Sequence, residues 1–189
     1  MAIVPKARPE IARATAAEWL TPHIDGPRWD HTPMILGRRG YYRDTMGVAG
    51  KNDRGIYDDA IVLIGPNVYA TFNANTDPSI KRPRVAVLRA GVWQYKLGIH
   101  NVTKDPKKHP RYPALIQAGE VVVDRDDVGE DRGWFGINIH KGSRTTTSSE
   151  GCQTIHPDQW EEFYGAVKAT MTAHTMSTIP YVLTVRADI

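Results

Sequence analysis

Every apolar run in this chain is short, and turn residues cut each one off. Ala60–Ile64 and Val68–Asn73 are β-prone runs parted by Gly65-Pro66-Asn67, the spacing of a hairpin. Arg84–Leu88 and Val92–Leu97 flank Arg89-Ala90-Gly91 and predict a second hairpin. Ala114–Gln117 and Glu120–Val123 lie on either side of Ala118-Gly119, Phe135–Ile139 reads as a further strand, and Tyr181–Arg186 as the last. Strands joined this tightly pair mainly antiparallel. Runs such as Ile61–Gly65 are far too short to span a bilayer, so no membrane role is expected.

Helical signals are few. Trp160, Phe163, Tyr164, Val167 and Met171 recur at helical spacing behind Pro157-Asp158 and predict one amphipathic helix. Its apolar stripe reads as core packing. A shorter helix is expected over residues 9–20, opened by Pro9-Glu10. Between residues 21 and 58, Pro22, Gly26, Pro27, Pro33, Gly37, Gly40, Gly47, Gly50 and Gly55 predict a loop-rich stretch, with a hairpin near Met34–Arg43. The fold class is therefore mostly β (α+β). Residues 1–58 form a helix and a loop-rich arm packed on the domain that spans 59–189.

The 189 residues suffice to bury roughly two-thirds of the unfolded surface, so a core without covalent staples is expected. A single cysteine forbids an internal disulfide. A net charge of +3 without a clustered basic stripe argues against nucleic acid. The first ten residues lack the apolar core of a secretory signal, so a substrate outside the membrane requires another route of delivery.

That one cysteine lies in a segment unlike the rest. Gly136–His140 reads as a strand end, Lys141–Ser149 as a polar loop rich in hydroxyls, and Ser149-Glu150-Gly151-Cys152 leads on toward the helix. A thiolate is the reactive form, and an imidazole nearby is the usual way to generate it. Gly151 permits close approach of backbone to substrate, and N–H groups there could face a developing oxyanion. A buried, inert thiol beside a surface histidine is the competing interpretation.

The stretch resembles the catalytic core of the L,D-transpeptidases, cysteine enzymes that act on peptidoglycan stem peptides. His140 matches that family's histidine at a strand end. Ser149, Gly151 and Cys152 match its Ser/Thr-His-Gly-Cys block. Glu150 stands where the family has its second histidine, and Gln153-Thr154 where it has an apolar residue and Arg or Asn. The resemblance covers roughly residues 59–189 and implies a β-sandwich or open barrel. It implies Cys152 as nucleophile and His140 as general base. The carbonyl of Lys141 or Gly142 would orient the imidazole, the backbone of Gly151 would serve the oxyanion, and Ser149 would belong to the catalytic set. Glu150, Gln153, Asn138, Trp134 and Tyr112 would contact substrate.

The chemistry so implied is two-step acyl transfer at an L,D bond of the stem. Hydrolysis is slightly favoured over transpeptidation, with neither cofactor nor metal and with a monomer expected. The alternative is a non-catalytic relative that binds stem peptide or a partner. A zinc site of His140, Cys152 and His156 fits no common ligand spacing. The charged run Lys104–Lys108 between His100 and His109 reads as a solvated loop or as a greeting for substrate carboxylates. Asp124–Asp127 reads as an acidic turn.

Overall fold

The computed structural model describes residues 2–24 and 29–186. Gly26 and Pro27 of the loop-rich stretch lie outside them. Eleven strands and two α-helices follow the order α1 (Arg13–Leu20), β1 (Met34–Arg39), β2 (Asp59–Gly65), β3 (Val68–Asn75), β4 (Ala86–Leu88), β5 (Gly91–His100), β6 (Tyr112–Gln117), β7 (Val121–Arg125), β8 (Gly129–Gly133), β9 (Ile139–Lys141), β10 (Gln153–Ile155), α2 (Trp160–Ala173) and β11 (Ile179–Val185). The protein is mostly β, with 35% of the described residues in strands, paired mainly antiparallel. No helix among the described residues is long and apolar enough to cross a membrane.

Eight strands close a barrel in the order β1-β11-β5-β6-β9-β10-β3-β2, and β4-β7-β8 form a separate sheet. The barrel is closed, where an open barrel or sandwich was expected, because β1 pairs on both sides. It runs antiparallel to β2, with Leu36 opposite Val62, and parallel to β11, with Ile35 opposite Tyr181. A hairpin at 34–43 therefore does not form: β1 spends its two edges on distant strands. The expected boundary at residue 59 does not divide the architecture either, since β1 is a barrel stave.

The hairpin of β2 and β3 forms as read, with Gly65 opposite Val68. The one expected between 84 and 97 does not. β4 pairs with β7, while β5 pairs with β11 and β6. Arg89–Gly91 is thus a crossing between sheets. The parting has an energetic reason: Ala86 and Leu88 on β4 and Val121 and Val123 on β7 are buried together in the main core.

β2 is buried along its whole length because it is covered on both faces. Ile61 and Leu63 join Ile35, Phe72, Tyr95, Tyr181 and Leu183 in the main core. Ala60, Val62 and Ile64 point the other way, onto Met34, Leu36 and Val182 and under Ala16 and Leu20 of α1. α2 sends Trp160, Phe163, Val167 and Met171 into the main core. Each such side chain contributes on the order of 1.5–3 kcal/mol by leaving water.

Candidate active site

β9 and β10 lie side by side in parallel, with Ile139 opposite Gln153 and His140 opposite Thr154. The Gln153 N–H donates to the Asn138 carbonyl at 2.9 Å and extends the ladder one step back, to Cys152. Side chains alternate along a strand. Asn138, His140, Cys152 and Thr154 therefore share one face, while Ile139 and Ile155 point into the core.

Cys152 is held by its own loop. The Ser149 hydroxyl donates to the Cys152 carbonyl at 2.6 Å and accepts the Gly151 N–H at 3.0 Å. The same loop is stitched to the body by the Ser79 N–H to the Ser149 carbonyl, the Ser149 N–H to the Ser79 hydroxyl, and the Ser79–Thr147 hydroxyl pair. These hydroxyls fix backbone rather than face solvent. Gly151 sits at φ +133°, and a Cβ there would meet the Ala86 carbonyl at 2.6 Å, so only glycine fits. Its N–H is taken by Ser149, which removes Gly151 as the oxyanion donor. Among the described residues, the Cys152 N–H has no hydrogen-bond partner and is the donor left over.

His140 is buried. Its Nδ1 lies 2.8 Å from the Lys141 carbonyl, an acceptor only, so Nδ1 carries the proton and Nε2 holds the lone pair. The Lys141 carbonyl, expected as an orienter, is hydrogen-bonded to the imidazole. Tyr112 stands behind the ring, its hydroxyl 3.0 Å from His140 Nδ1 and 3.4 Å from the Lys141 carbonyl. Its contacts hold the His140 ring and it is not part of the lining of the cleft at Cys152, where a place against substrate was expected.

Thiol and imidazole both rest neutral. Burial pushes the Cys152 thiol up to about 11, against the opposing pull of the Asn138 N–H. Burial, then the neighbouring His100, push His140 down to about 3, although the Lys141 bond works the other way. The sulfur accepts from the Asn138 N–H at 3.4 Å and faces the Gly136 carbonyl at 3.5 Å. Among the described residues, no hydrogen bond joins sulfur to imidazole. Burial thus disfavours the resting thiolate that an adjacent imidazole would supply, since it penalises both charged forms. Catalytic hydrogen bonds commonly tighten only once substrate is bound.

Above the sulfur opens a cleft of about 500 Å³, lined by His100, Lys104, Trp134, Asn138, Glu150 and Cys152 among others. Trp134 is 63% exposed at its rim. Glu150 is also exposed and pairs with Arg82 at 2.6 Å. Gln153 is a correction. It is fully buried, donates to the Gly151 carbonyl at 3.1 Å and accepts the Tyr181 hydroxyl at 3.0 Å. The ladder turns it inward, so it braces the Cys152 loop and lies away from the cleft where a substrate contact was expected. His156 packs its ring edge-on against Tyr57 at 5.0 Å, as a structural side chain.

Two residues join the site that the motif did not mark as site residues. His100, at the end of β5, stacks on His140 with centroids 4.1 Å and planes 20° apart. Its pairing with Tyr112 across β5–β6 is a long-range register that no local pattern reveals. Gln117 anchors the segment from 133 to 138. Its Oε1 accepts the Phe135 and Ile137 N–H groups, and its Nε2 donates to the Gly119 and Gly133 carbonyls.

Searches against protein-family models, curated proteins and solved structures found no match to this chain.

Proposed function

We propose that this protein is a cysteine acyl-transfer enzyme acting on peptidoglycan stem peptides at an L,D bond. One observation carries the reading: buried His140, with Nδ1 committed to the Lys141 carbonyl and no Nε2 partner among the described residues, shares a face of the β9–β10 ladder with Cys152, which lines an open cleft. That is a base with a fixed tautomer beside a thiol that substrate can reach. The resemblance of residues 140–152 to the L,D-transpeptidases supplies the substrate class.

From a neutral pair the reaction begins with concerted proton transfer. His140 Nε2 takes the thiol proton as the sulfur bonds to the substrate carbonyl carbon. The carbonyl oxygen becomes an oxyanion, to which the Cys152 N–H donates. Collapse breaks the C–N bond, and the proton on His140 passes to the leaving amine. Water or an amine then opens the thioester.

Hydrolysis is the favoured outcome. Transpeptidation needs a second groove that excludes water and orients the acceptor. The loop that could build one is bound down to Ser79, and Tyr112 stands behind His140 rather than over the cleft. The test is a mass spectrum of muropeptides before and after incubation. Stems should lose their terminal D-residue, or dimers bearing an L,D bond should open, and Cys152→Ala should abolish both. Accumulation of new 3–3 linked dimers would reverse the preference for hydrolysis.

The neutral thiol, without a bond to the imidazole, favours a second reading: a protein that binds stem peptide without turnover. Equal binding of sacculi by wild type and Cys152→Ala, with muropeptide masses unchanged by either, would select it.

A further inference from the structure

Acyl transfer needs preorganised donors where the carbonyl oxygen becomes negative, and one N–H is rarely enough. The Gly151 N–H is occupied by the Ser149 hydroxyl. The Cys152 N–H is left, and a second donor must come from the walls of the cleft. We propose that His100 is a further catalytic residue of this site, its Nε2–H donating to the oxyanion formed when Cys152 attacks. The proposal rests on the acyl-transfer reading above.

The tautomer of His100 follows from a chain of donors. The Gln117 N–H can only donate, and it lies 3.1 Å from Asn138 Oδ1. That fixes the amide, so Asn138 Nδ2 faces His100 Nδ1 at 3.0 Å. An amide nitrogen can only donate, so His100 Nδ1 accepts and the ring proton sits on Nε2. The ring is half-buried and lines the same cleft as Cys152 and Asn138. One face lies on His140, so the ring cannot swing without disturbing the base. Asn138 thereby serves both partners, its backbone N–H on the sulfur and its side chain on His100.

His100 stays neutral while it donates. Burial, then the nearby Lys104, push its proton affinity down to about 4. A neutral N–H can stabilise a developing oxyanion without first having to lose a proton to it. The electron bookkeeping is that of the reaction above. The sulfur–carbon bond forms, the carbonyl π pair moves onto oxygen, and that oxygen accepts the His100 hydrogen bond. Collapse returns the pair and expels the amine.

The experiment compares wild type, His100→Phe and His100→Gln on purified muropeptides, and measures in parallel the rate at which iodoacetamide alkylates Cys152. Alkylation displaces iodide at a saturated carbon and forms no oxyanion, so it reads the thiol and His140 without the proposed donor. Phe keeps a ring to stack on His140, and Gln restores an N–H. His100→Phe should lower kcat about 100-fold or more, the usual worth of one oxyanion donor, with KM changed less than about threefold. His100→Gln should regain roughly tenfold of that loss. Alkylation should stay within about twofold of wild type in His100→Phe, which keeps the ring stacked on His140. The proposal is overturned if His100→Phe keeps kcat within about threefold, if Gln is as poor as Phe, or if alkylation falls in step with turnover. That last result would make His100 a positioning residue for its neighbours. A wild type inert toward muropeptides would instead refute the acyl-transfer reading itself, before any variant is compared.

Discussion

The resting state of the Cys152 thiol is set by what covers it. Burial raises Cys152 to about 11 and lowers His140 to about 3, so the charged pair is the less stable arrangement. A raised thiol gives up its proton only as pH climbs toward that value. The alkylation rate of Cys152 should therefore keep rising from pH 7 to pH 10, with no plateau at neutrality. A level rate by pH 7 would mean that a thiolate–imidazolium pair already exists. Tyr112→Phe removes one hydroxyl from behind the imidazole and leaves the Lys141 carbonyl in place. The loss should be modest, about 1 kcal/mol or roughly fivefold in kcat, the net worth of one hydrogen bond. A hundredfold fall would make Tyr112 a participant in proton transfer. That Cys152 and His140 would lie close together was legible because a lone cysteine in a Ser/Gly loop behind a strand-end histidine is a local pattern. Gln153 was misjudged because its neighbour faces the cleft, and alternation along β10 turns Gln153 the other way. His100 was passed over as a site residue because its partners lie in strands that sequence spacing does not align.

Among the elements, β1 reaches the site without touching it. Gly37 on β1 lies against the Tyr181 ring of β11, and a Cβ at Gly37 would collide with that ring's hydroxyl end. The Tyr181 hydroxyl donates to Gln153, which holds the Gly151 carbonyl one residue before the nucleophile. Gly37→Ala should therefore cost about 1–3 kcal/mol of stability through overpacking. It should also slow turnover, by tilting the brace under Cys152. Thermal melts paired with kcat check this, and a destabilised variant with unchanged kcat at low temperature would break the link. β2, β3 and α2 were readable because their patterns are local: a Gly-Pro-Asn turn and a helical stripe. β8, Gly-Glu-Asp-Arg-Gly, and the three-residue β10 carry no such pattern. They are strands because β7 and β9 offer them an edge. β1 has apolar residues enough for a strand, yet the punctuation around it concealed that both its partners are remote.

At the scale of the whole molecule, one end of the barrel holds a buried acidic group. Asp58, Asp59 and Asp77 are all buried, with Arg39 paired to Asp77 at 3.1 Å. Asp59 accepts the Gly40 and Thr76 N–H groups, and Asp58 accepts the Asp53 N–H, while Asp58 Oδ1 has no hydrogen-bond partner among the described residues. Burial, then the charge on Asp59, raise the proton affinity of Asp58. Folded Asp58 thus keeps a proton that the unfolded chain releases in the ordinary aspartate range. Wild-type stability falls as pH climbs from that range upward. Asp58→Asn has no such proton to lose. Its melting temperature should gain on wild type between pH 5 and pH 8, and a constant offset between the two would show that Asp58 does not titrate there. The parallel joint of β1 and β11 has a different consequence, one of timing. Arg38 meets Thr184 across 146 residues of chain, so this joint is made only after nearly all the intervening sequence has been synthesised. Contacts so distant in sequence are slow to form. Tyr181, which braces the nucleophile's turn, arrives with the strand that makes the joint. A nascent chain stalled on the ribosome before β11 would carry Cys152 without its support, so the turn that holds this thiol is braced only when translation has run past the last stave.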